Sequence, residues 1–233
     1  MKLNIMNWNT GITEFLDNKE NCSQIIEYIK GWLCNNENAI AFLQQIVYKD
    51  KETSSNEWKV HEIFTRLQNE INSKGYGIKF YKRSSFMMTI AIAKKGTMKL
   101  LEDEKFYPKE CPMNRAIAVK FNGISFLSIH AQSGEDNKPY LEALPSETDF
   151  VLGDFNAGNY PDSENREIFN EILKDYICIC NMPTRIKENG RRTCIDHIFV
   201  KTEKVTRCAN LIVHEEIQLS DHFPITFEFN LEG

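Results

Sequence analysis

The chain has 233 residues, with 28 Lys or Arg against 33 Asp or Glu (a formal charge of −5), 42 % hydrophobic and 26 % charged residues, 11 Gly and 7 Pro. Those proportions exclude a disordered, collagen-like or membrane-embedded chain and suit a core that removes about 72 % of the unfolded surface from water. The negative balance argues against a protein that coats nucleic acid nonspecifically, because such binding rests on excess Lys and Arg. Residues 3–8 read as a strand, and Ile25, Ile26, Ile29 and Leu33 recur at helical spacing in a helix from about Ser23. Residues 39–43 are a short apolar strand, and Val60, Ile63, Phe64, Leu67 and Ile71 form a second helical stripe. Strand-like runs follow at 78–83, 86–93, 115–121 and 124–130, the last two joined by Asn122-Gly123, a hairpin-turn pair. Another strand covers 149–152, and Ser163 is placed to cap a helix carrying Ile168, Phe169, Ile172 and Leu173. Strands at 194–200, 209–213 and 224–229 end the series. Neither a repeat nor a linker interrupts it, so one domain over 1–233 is expected, with mixed sheets and helices on their outer faces.

Cys22, Cys34, Cys111, Cys178, Cys180, Cys194 and Cys208 include no CxxC pair, so zinc-cage spacing is lacking and the thiols point to a reducing cytosol. Cys178 and Cys180 lie in an apolar run, where two small buried thiols on one strand face are expected. The first residues carry no long apolar stretch, and no run approaches 18 apolar residues. A cytoplasmic protein with no membrane partner is therefore expected.

Polar groups collect where apolar runs end. Trp8-Asn9, Gln44-Gln45, Ser128-Ile129-His130 and Gly153-Asp154-Phe155-Asn156 close four of them. Ile195-Asp196-His197 lies inside a fifth, and Ser220-Asp221-His222-Phe223-Pro224 precedes the last. Strand ends hold side chains on a rigid frame facing a common crevice. Carboxylate and amide oxygens suit Mg²⁺ or Ca²⁺ better than Zn²⁺, and Asp with His supplies acid–base chemistry near neutral pH. Taken singly, Asp154 also suits an Asx-turn, Asp221 a cap or turn, and His130 a satisfied core histidine. Those readings leave the ordered series unexplained.

The series resembles the endonuclease/exonuclease/phosphatase superfamily, which includes deoxyribonuclease I, over nearly the whole chain. Trp8-Asn9 is similar to its first-strand Asn, Gly153–Ala157 to its GDFNA motif and Ser220–Pro224 to its SDHxP motif. Cys194–Ile198, Asn114–Phe121 and Ile129–Ala131 are similar to three further stretches. The resemblance implies an α/β fold, a four-layer α/β/β/α sandwich of two mixed β-sheets flanked by helices. It implies a divalent-metal-dependent phosphoesterase, with Mg²⁺ first and Mn²⁺ or Ca²⁺ as alternatives. Carried over, His222 is the general base or proton carrier on the attacking water, oriented by Asp196, and His130 contacts the scissile phosphate or acts on the leaving group. Asp154 and Asn156 orient the nucleophile and stabilise the phosphorane-like charge, Arg115 contacts phosphate, and Asn9 and Asp221 help hold the metal.

One position departs from the family. Its Gln-Glu motif reads Gln44-Gln45 here, so the metal position falls on Gln45, which keeps an acceptor oxygen and loses the charge. Mg²⁺ sites often rest on one or two carboxylates, so the change should weaken the site. The substitution reads as engineered, as natural loss in a pseudoenzyme or binding module, or as compensated by Asp50, Glu52 or Glu57.

Charge is uneven. Residues 74–95 carry six basic groups (Lys74, Lys79, Lys82, Arg83, Lys94, Lys95) and no acid, and residues 184–207 carry seven basic and three acidic groups, a net +4. Either stretch suits a phosphate backbone or a solvated face, and Tyr81 is similar in place to a residue that touches sugar or phosphate in the family. The expectation is a monomer that cleaves nucleic acid, DNA in preference to RNA. The alternatives are a silent phosphate-binding module, or a phosphatase or phosphodiesterase acting on a small phosphorylated molecule or lipid headgroup.

Overall fold

A computed structural model describes residues 1–12, 19–48, 60–81, 87–109, 115–134, 137–157, 168 and 171–232. In chain order the elements are β1 (Lys2–Asn9), α1 (Lys19–Asn35), β2 (Ala39–Val47), α2 (Glu62–Ser73), β3 (Tyr76–Phe80), β4 (Met87–Lys94), β5 (Met98–Leu100), β6 (Ala116–Phe121), β7 (Ile124–His130), α3 (Asn137–Glu142), β8 (Phe150–Asp154), β9 (Tyr176–Cys178), β10 (Arg185–Ile186), β11 (Arg192–Thr193), β12 (Asp196–Lys201), β13 (Cys208–Val213) and β14 (Ile225–Asn230). Two six-stranded sheets run β13-β14-β1-β2-β4-β3 and β5-β6-β7-β8-β12-β9, and β10 and β11 form a separate hairpin. The β1–β2 and β7–β8 pairs are parallel, and the other pairs in both sheets are antiparallel.

Strand period explains the layers. Leu3, Ile5, Ile40, Phe42, Phe126, Phe150, Leu152, Ile198, Val200, Ile225, Phe227 and Phe229 point inward from both sheets into one shared core. Met6, Trp8, Ala41 and Leu43 point the other way, onto Ile25, Ile26, Ile29 and Leu33 of α1 and Phe64, Leu67 and Ile71 of α2. On the far side Leu127, Ile129, Val151 and Phe199 pack against Tyr140 and Leu141 of α3. The result is helix, sheet, sheet, helix. Among the described residues no helix is long and apolar enough to cross a membrane.

Most expected elements appear with shifted ends, and the differences have causes. Helix α1 begins at Lys19 rather than near Ser23. Val60 lies outside α2 and is exposed, because His61 caps the helix by accepting the Ile63 amide on Nδ1. Strand β2 continues four residues past Leu43, and carries an extra residue between Leu43 and Ile46 that shifts its register against β4. Strand β9 ends at Cys178, so the expected thiol pair splits: Cys180 joins the inter-sheet core and Cys178 packs on the outer face. Asn114, Cys111, Lys82, Arg83, Phe86, Ser163, Phe169, Asp50, Glu52 and Glu57 lie outside the described residues, while Ile168 is helical.

Candidate active site

The inward-facing series that builds the core turns polar at one end of the sandwich. In β1 it runs Leu3, Ile5, Asn7, Asn9; in β2, Ile40, Phe42, Gln44; in β7, Phe126, Ser128, His130; in β8, Phe150, Leu152, Asp154. This end holds the C-termini of both parallel pairs, the side of an open α/β sheet where ligand crevices form. Register aligns the groups. His130 stands opposite Asp154, Asp154 opposite Asp196, and Asn9 opposite Gln44.

Gly153 makes the His130–Asp154 row possible. A Cβ there would lie 2.0 Å from the Ile129 carbonyl oxygen, and its φ of +138° is one that side chains rarely adopt. The two strands therefore touch backbone to backbone beside the row. Asn156, at φ +46°, turns the chain back. Its amide donates to Asp154 Oδ1 at 2.8 Å, the Asx-turn, and its Nδ2 donates to the Ala131 carbonyl at 2.9 Å.

Asp154 is buried at the centre. Across the gap between the sheets Asn9 Nδ2 donates to its Oδ2 at 2.7 Å. Nε2 of His130 and Nε2 of His222 each lie 3.8 Å from the same oxygen. Nδ1 of His222 lies 2.9 Å from Asp196 Oδ2, and the Thr184 hydroxyl donates to that oxygen at 2.6 Å. Thr184 Oγ1 also accepts the amides of Ile195 and Asp196. Trp8 Nε1 donates to the His222 carbonyl, and the Ser220 hydroxyl donates to the Asn9 carbonyl, tying the 220–222 loop to the end of β1.

Burial and charge set the protonation states. Burial pushes the His130 imidazole down to about 3, helped by the Arg115 and His222 cations, so it is neutral at pH 7. Burial also opposes a charged His222, but the Asp196, Asp154 and Asp221 carboxylates outweigh it and hold the group up at about 9. Asp154 is raised by burial and by the Asp196 charge. His197, on the other face of β12, is pushed down to about 4 by burial and packs against Phe155 and Phe199 as a core histidine.

Other expected residues sit differently. Arg115 directs Nη1 at the carbonyls of His130 and Ala131, at 3.3 and 3.2 Å. Gln44 donates from Nε2 to Asn7 Oδ1 and Ser128 Oγ between the sheets, while its Oε1 has no partner among the described residues. Gln45 occupies the extra position of β2 at φ +54°, a left-handed backbone that costs a non-glycine residue on the order of 1 kcal/mol. Its Oε1 and the Ser220 hydroxyl both flank Gly11, 4.0 and 3.3 Å from where a Cβ would stand. Asp221 gives its Oδ2 to Arg185, 2.7 Å from Nε and 2.6 Å from Nη2. Arg185 and Asp221 side chains are 31 % and 46 % exposed, against 4 % and 2 % for His222 and Asp196.

The basic stretches divide. Lys74, Lys94 and Lys95 lie at the opposite pole from Asp154, beside the start of β2. Tyr81 is buried with its ring stacked on Tyr107 at 3.9 Å, rather than offered to a ligand. Lys204 pairs with Asp149, and Arg207 donates to the carbonyls of Asn230 and Leu231, also far from the row. Arg185, Lys187, Arg191 and Arg192 remain on the β10–β11 hairpin beside the site. Thr184 and Arg185 were not among the expected site residues. Two-residue strands carry no periodicity, and the signal that finds these residues is their position one strand-pair away from Asp196.

Among the described residues, Asp154, Asp196 and His222 form an acid–imidazole cluster whose ligand atoms all lie within 4.8 Å of one another, a candidate metal-binding cluster. No protein-family model and no curated protein sequence matches the chain. Solved structures do. An AP endonuclease from Archaeoglobus fulgidus superposes with a TM-score of 0.68 at 15 % identity, covering 98 % of this chain and 100 % of that one. A variant of the 3′ phosphatase NExo from Neisseria, bound to a product DNA hairpin, gives 0.66 at 16 % identity over 98 % and 99 %. TDP2 from D. rerio, complexed with a single-strand DNA product, gives 0.66 at 18 % identity over 98 % and 99 %. The chain has the endonuclease/exonuclease/phosphatase fold. In this deoxyribonuclease I-like sandwich the polar row lies where the two sheets open together.

Proposed function

We propose that this protein is a divalent-metal-dependent phosphodiesterase that cleaves nucleic acid, DNA in preference to RNA. The observation that carries the reading is the buried row His130–Asp154–Asp196, closed by His222 on one side and by Asn9 from the facing sheet on the other. The fold is that of metal-dependent nucleases and phosphatases, and two of the matched structures hold DNA products.

We assign the roles that the family resemblance implies, and the hydrogen bonds around His222 support the first of them. His222 holds and moves a proton at Nε2, with Asp196 fixing the ring through Nδ1 and Thr184 fixing Asp196. Neutral His130 donates a hydrogen bond from Nε2 to a non-bridging phosphate oxygen. Asp154 and Asn156 orient the attacking water, and Arg115 adds a cationic contact to the phosphate. The oxygen donors of Asn9, Gln45 and Asp221 are of the type that suits a hard cation such as Mg²⁺, Mn²⁺ or Ca²⁺, and the Asp154–Asp196–His222 cluster lies beside Asn9 and Asp221. That cation, when bound, neutralises charge developing on the phosphoryl oxygens. With Gln45 uncharged, cleavage by this form is impaired. Supercoiled-plasmid nicking in Mg²⁺ or Mn²⁺, with an EDTA control, tests the reading: the Gln45→Glu variant nicks about 10²-fold faster than this chain. Equal rates of the two forms on every substrate overturn it.

A second reading rests on the same metal side. Gln45 has no charge and the Asp221 carboxylate already has a cation, which suits a silent module that binds phosphate without cleaving it. DNA retention without nicking, even by the Gln45→Glu variant, marks that outcome.

A further inference from the structure

Arg185 stands where a ligand and a metal would both compete for its partner. Both guanidinium nitrogens that reach Asp221 fall on the same oxygen, Oδ2. The rest of the hairpin is fixed to the same loop by backbone: the Ile186 amide donates to the Asp221 carbonyl at 2.8 Å, the Phe223 amide to the Thr184 carbonyl at 2.7 Å, and Arg185 bridges His222. The guanidinium can therefore leave Asp221 without the hairpin leaving the loop. An exposed ion pair of this kind contributes little net stability and exchanges readily, unlike the buried Asp196–His222 pair.

Beside the pair opens a cavity of about 750 Å³ whose charged lining is Arg185, Lys187, Glu188 and Asp221, so that the Arg185 guanidinium is free to turn to a phosphate only by leaving a carboxylate. A planar guanidinium forks onto phosphate as readily as onto carboxylate. Of the Asn9, Gln45 and Asp221 donors only Asp221 carries charge, and Arg185 pairs with it; the Asp154 and Asp196 carboxylates belong to the neighbouring buried cluster with His222.

We propose that Arg185 is a resident counter-ion that keeps the metal side of the site neutral until a phosphodiester draws the guanidinium away and frees Asp221 for the divalent cation. Metal loading and nucleic acid binding are thereby coupled. The inference rests on the metal-dependent phosphodiesterase reading. It adds that the cation binds poorly to the free protein and well to the complex. Coupling of this kind is reciprocal: the factor by which DNA tightens metal binding is the factor by which metal tightens DNA binding.

The test is Mn²⁺ titration followed by electron paramagnetic resonance on the full chain. It is run with and without an oligodeoxynucleotide whose bridging 3′ oxygens are methylene groups, so that nothing is cleaved. In this chain the oligonucleotide tightens Mn²⁺ binding by about 10-fold or more, and Mn²⁺ tightens oligonucleotide binding by the same factor. Arg185→Gln binds Mn²⁺ about 10-fold tighter than this chain when DNA is absent, and its coupling factor falls toward 1. Lys94→Gln, which removes a basic group at the opposite pole of the sandwich, behaves like this chain. Circular dichroism establishes that each variant is folded. Mn²⁺ affinity that is the same with and without DNA, and unchanged by Arg185→Gln, overturns the coupling while leaving the phosphodiesterase reading intact. Absence of Mn²⁺ binding in every form, including Gln45→Glu with DNA present, overturns both.

Discussion

Asp221 and His222 are neighbours in the chain, and each belongs to an acid–base pair at the same site, but the pairs are opposites. His222–Asp196 is sealed between the sheets, with Thr184 occupying the carboxylate's second contact. Asp221–Arg185 faces solvent at the rim. A buried pair cannot lose one partner without leaving a charge stranded in low dielectric, so it holds geometry; an exposed pair exchanges its partner at little cost, so it responds to ligands. A third pair, Asp149–Lys204 at the opposite pole, lies between these extremes.

The largest effect that separates these pairs is expected at Asp196. In a Gln45→Glu background, Asp196→Asn lowers the plasmid-nicking rate by about 10²–10⁴-fold, through loss of the His222 orientation. It also changes the alkaline stability limb. Because the folded His222 sits near 9, above its ordinary 6.5, its contribution to stability is full below pH 6.5 and is lost as pH rises through about 9. Urea midpoints measured in EDTA across that window fall with pH in this chain and stay nearly level in Asp196→Asn.

Thr184 comes next. Thr184→Val leaves the Asp196 carboxylate and two amides without their hydroxyl partner, a cost of about 1–3 kcal/mol in chemical denaturation. Thr184→Ser restores most of that stability, and restores the nicking rate lost by the valine variant in the Gln45→Glu background. Were serine no better than valine, the hydroxyl would be packing rather than positioning.

The intermediate pair gives a smaller change with the opposite pH sense. Burial opposes the charged Asp149 carboxylate, but hydrogen bonds from Lys204 and Ser125 outweigh it and hold the group below its ordinary 3.8. Its contribution is present above that value and is lost as pH falls through the lower folded value. Asp149→Asn therefore costs about 1–2 kcal/mol at pH 7 and less at pH 3, read from urea midpoints at the two pH values. Smallest of all, Arg185→Gln changes stability by about 0.5 kcal/mol or less at pH 7, because its pair is exposed.

Much of the fold was legible because its signal is periodic. Alternation in β1, β7 and β8 marks which residues meet between the sheets, and the same alternation carries Asn9, His130 and Asp154 to one end. The helical stripe of Ile25, Ile26, Ile29 and Leu33 is buried as spaced. What escaped had no period to read. One extra residue in β2 looks like uninterrupted apolar sequence, so Gln44 and Gln45 read as a strand end when they lie within the strand. The β10–β11 hairpin is too short to alternate, which hid Thr184 and Arg185. Charge counting along the chain left Lys74, Lys94 and Lys95 open between a phosphate backbone and a solvated face, and strand direction carries them to the pole away from the site. Sequence proximity registers neither strand direction nor the Tyr107 ring that covers Tyr81.

The bulge at Gln45 has a consequence for how charge can enter this site. The backbone there remains bent into a left-handed conformation, with the side chain turned toward Gly11 and Ser220, although the side chain carries no charge. Gln and Glu are isosteric. A Gln45→Glu change therefore adds a carboxylate at a position whose backbone is already bent, with no remodelling of the chain.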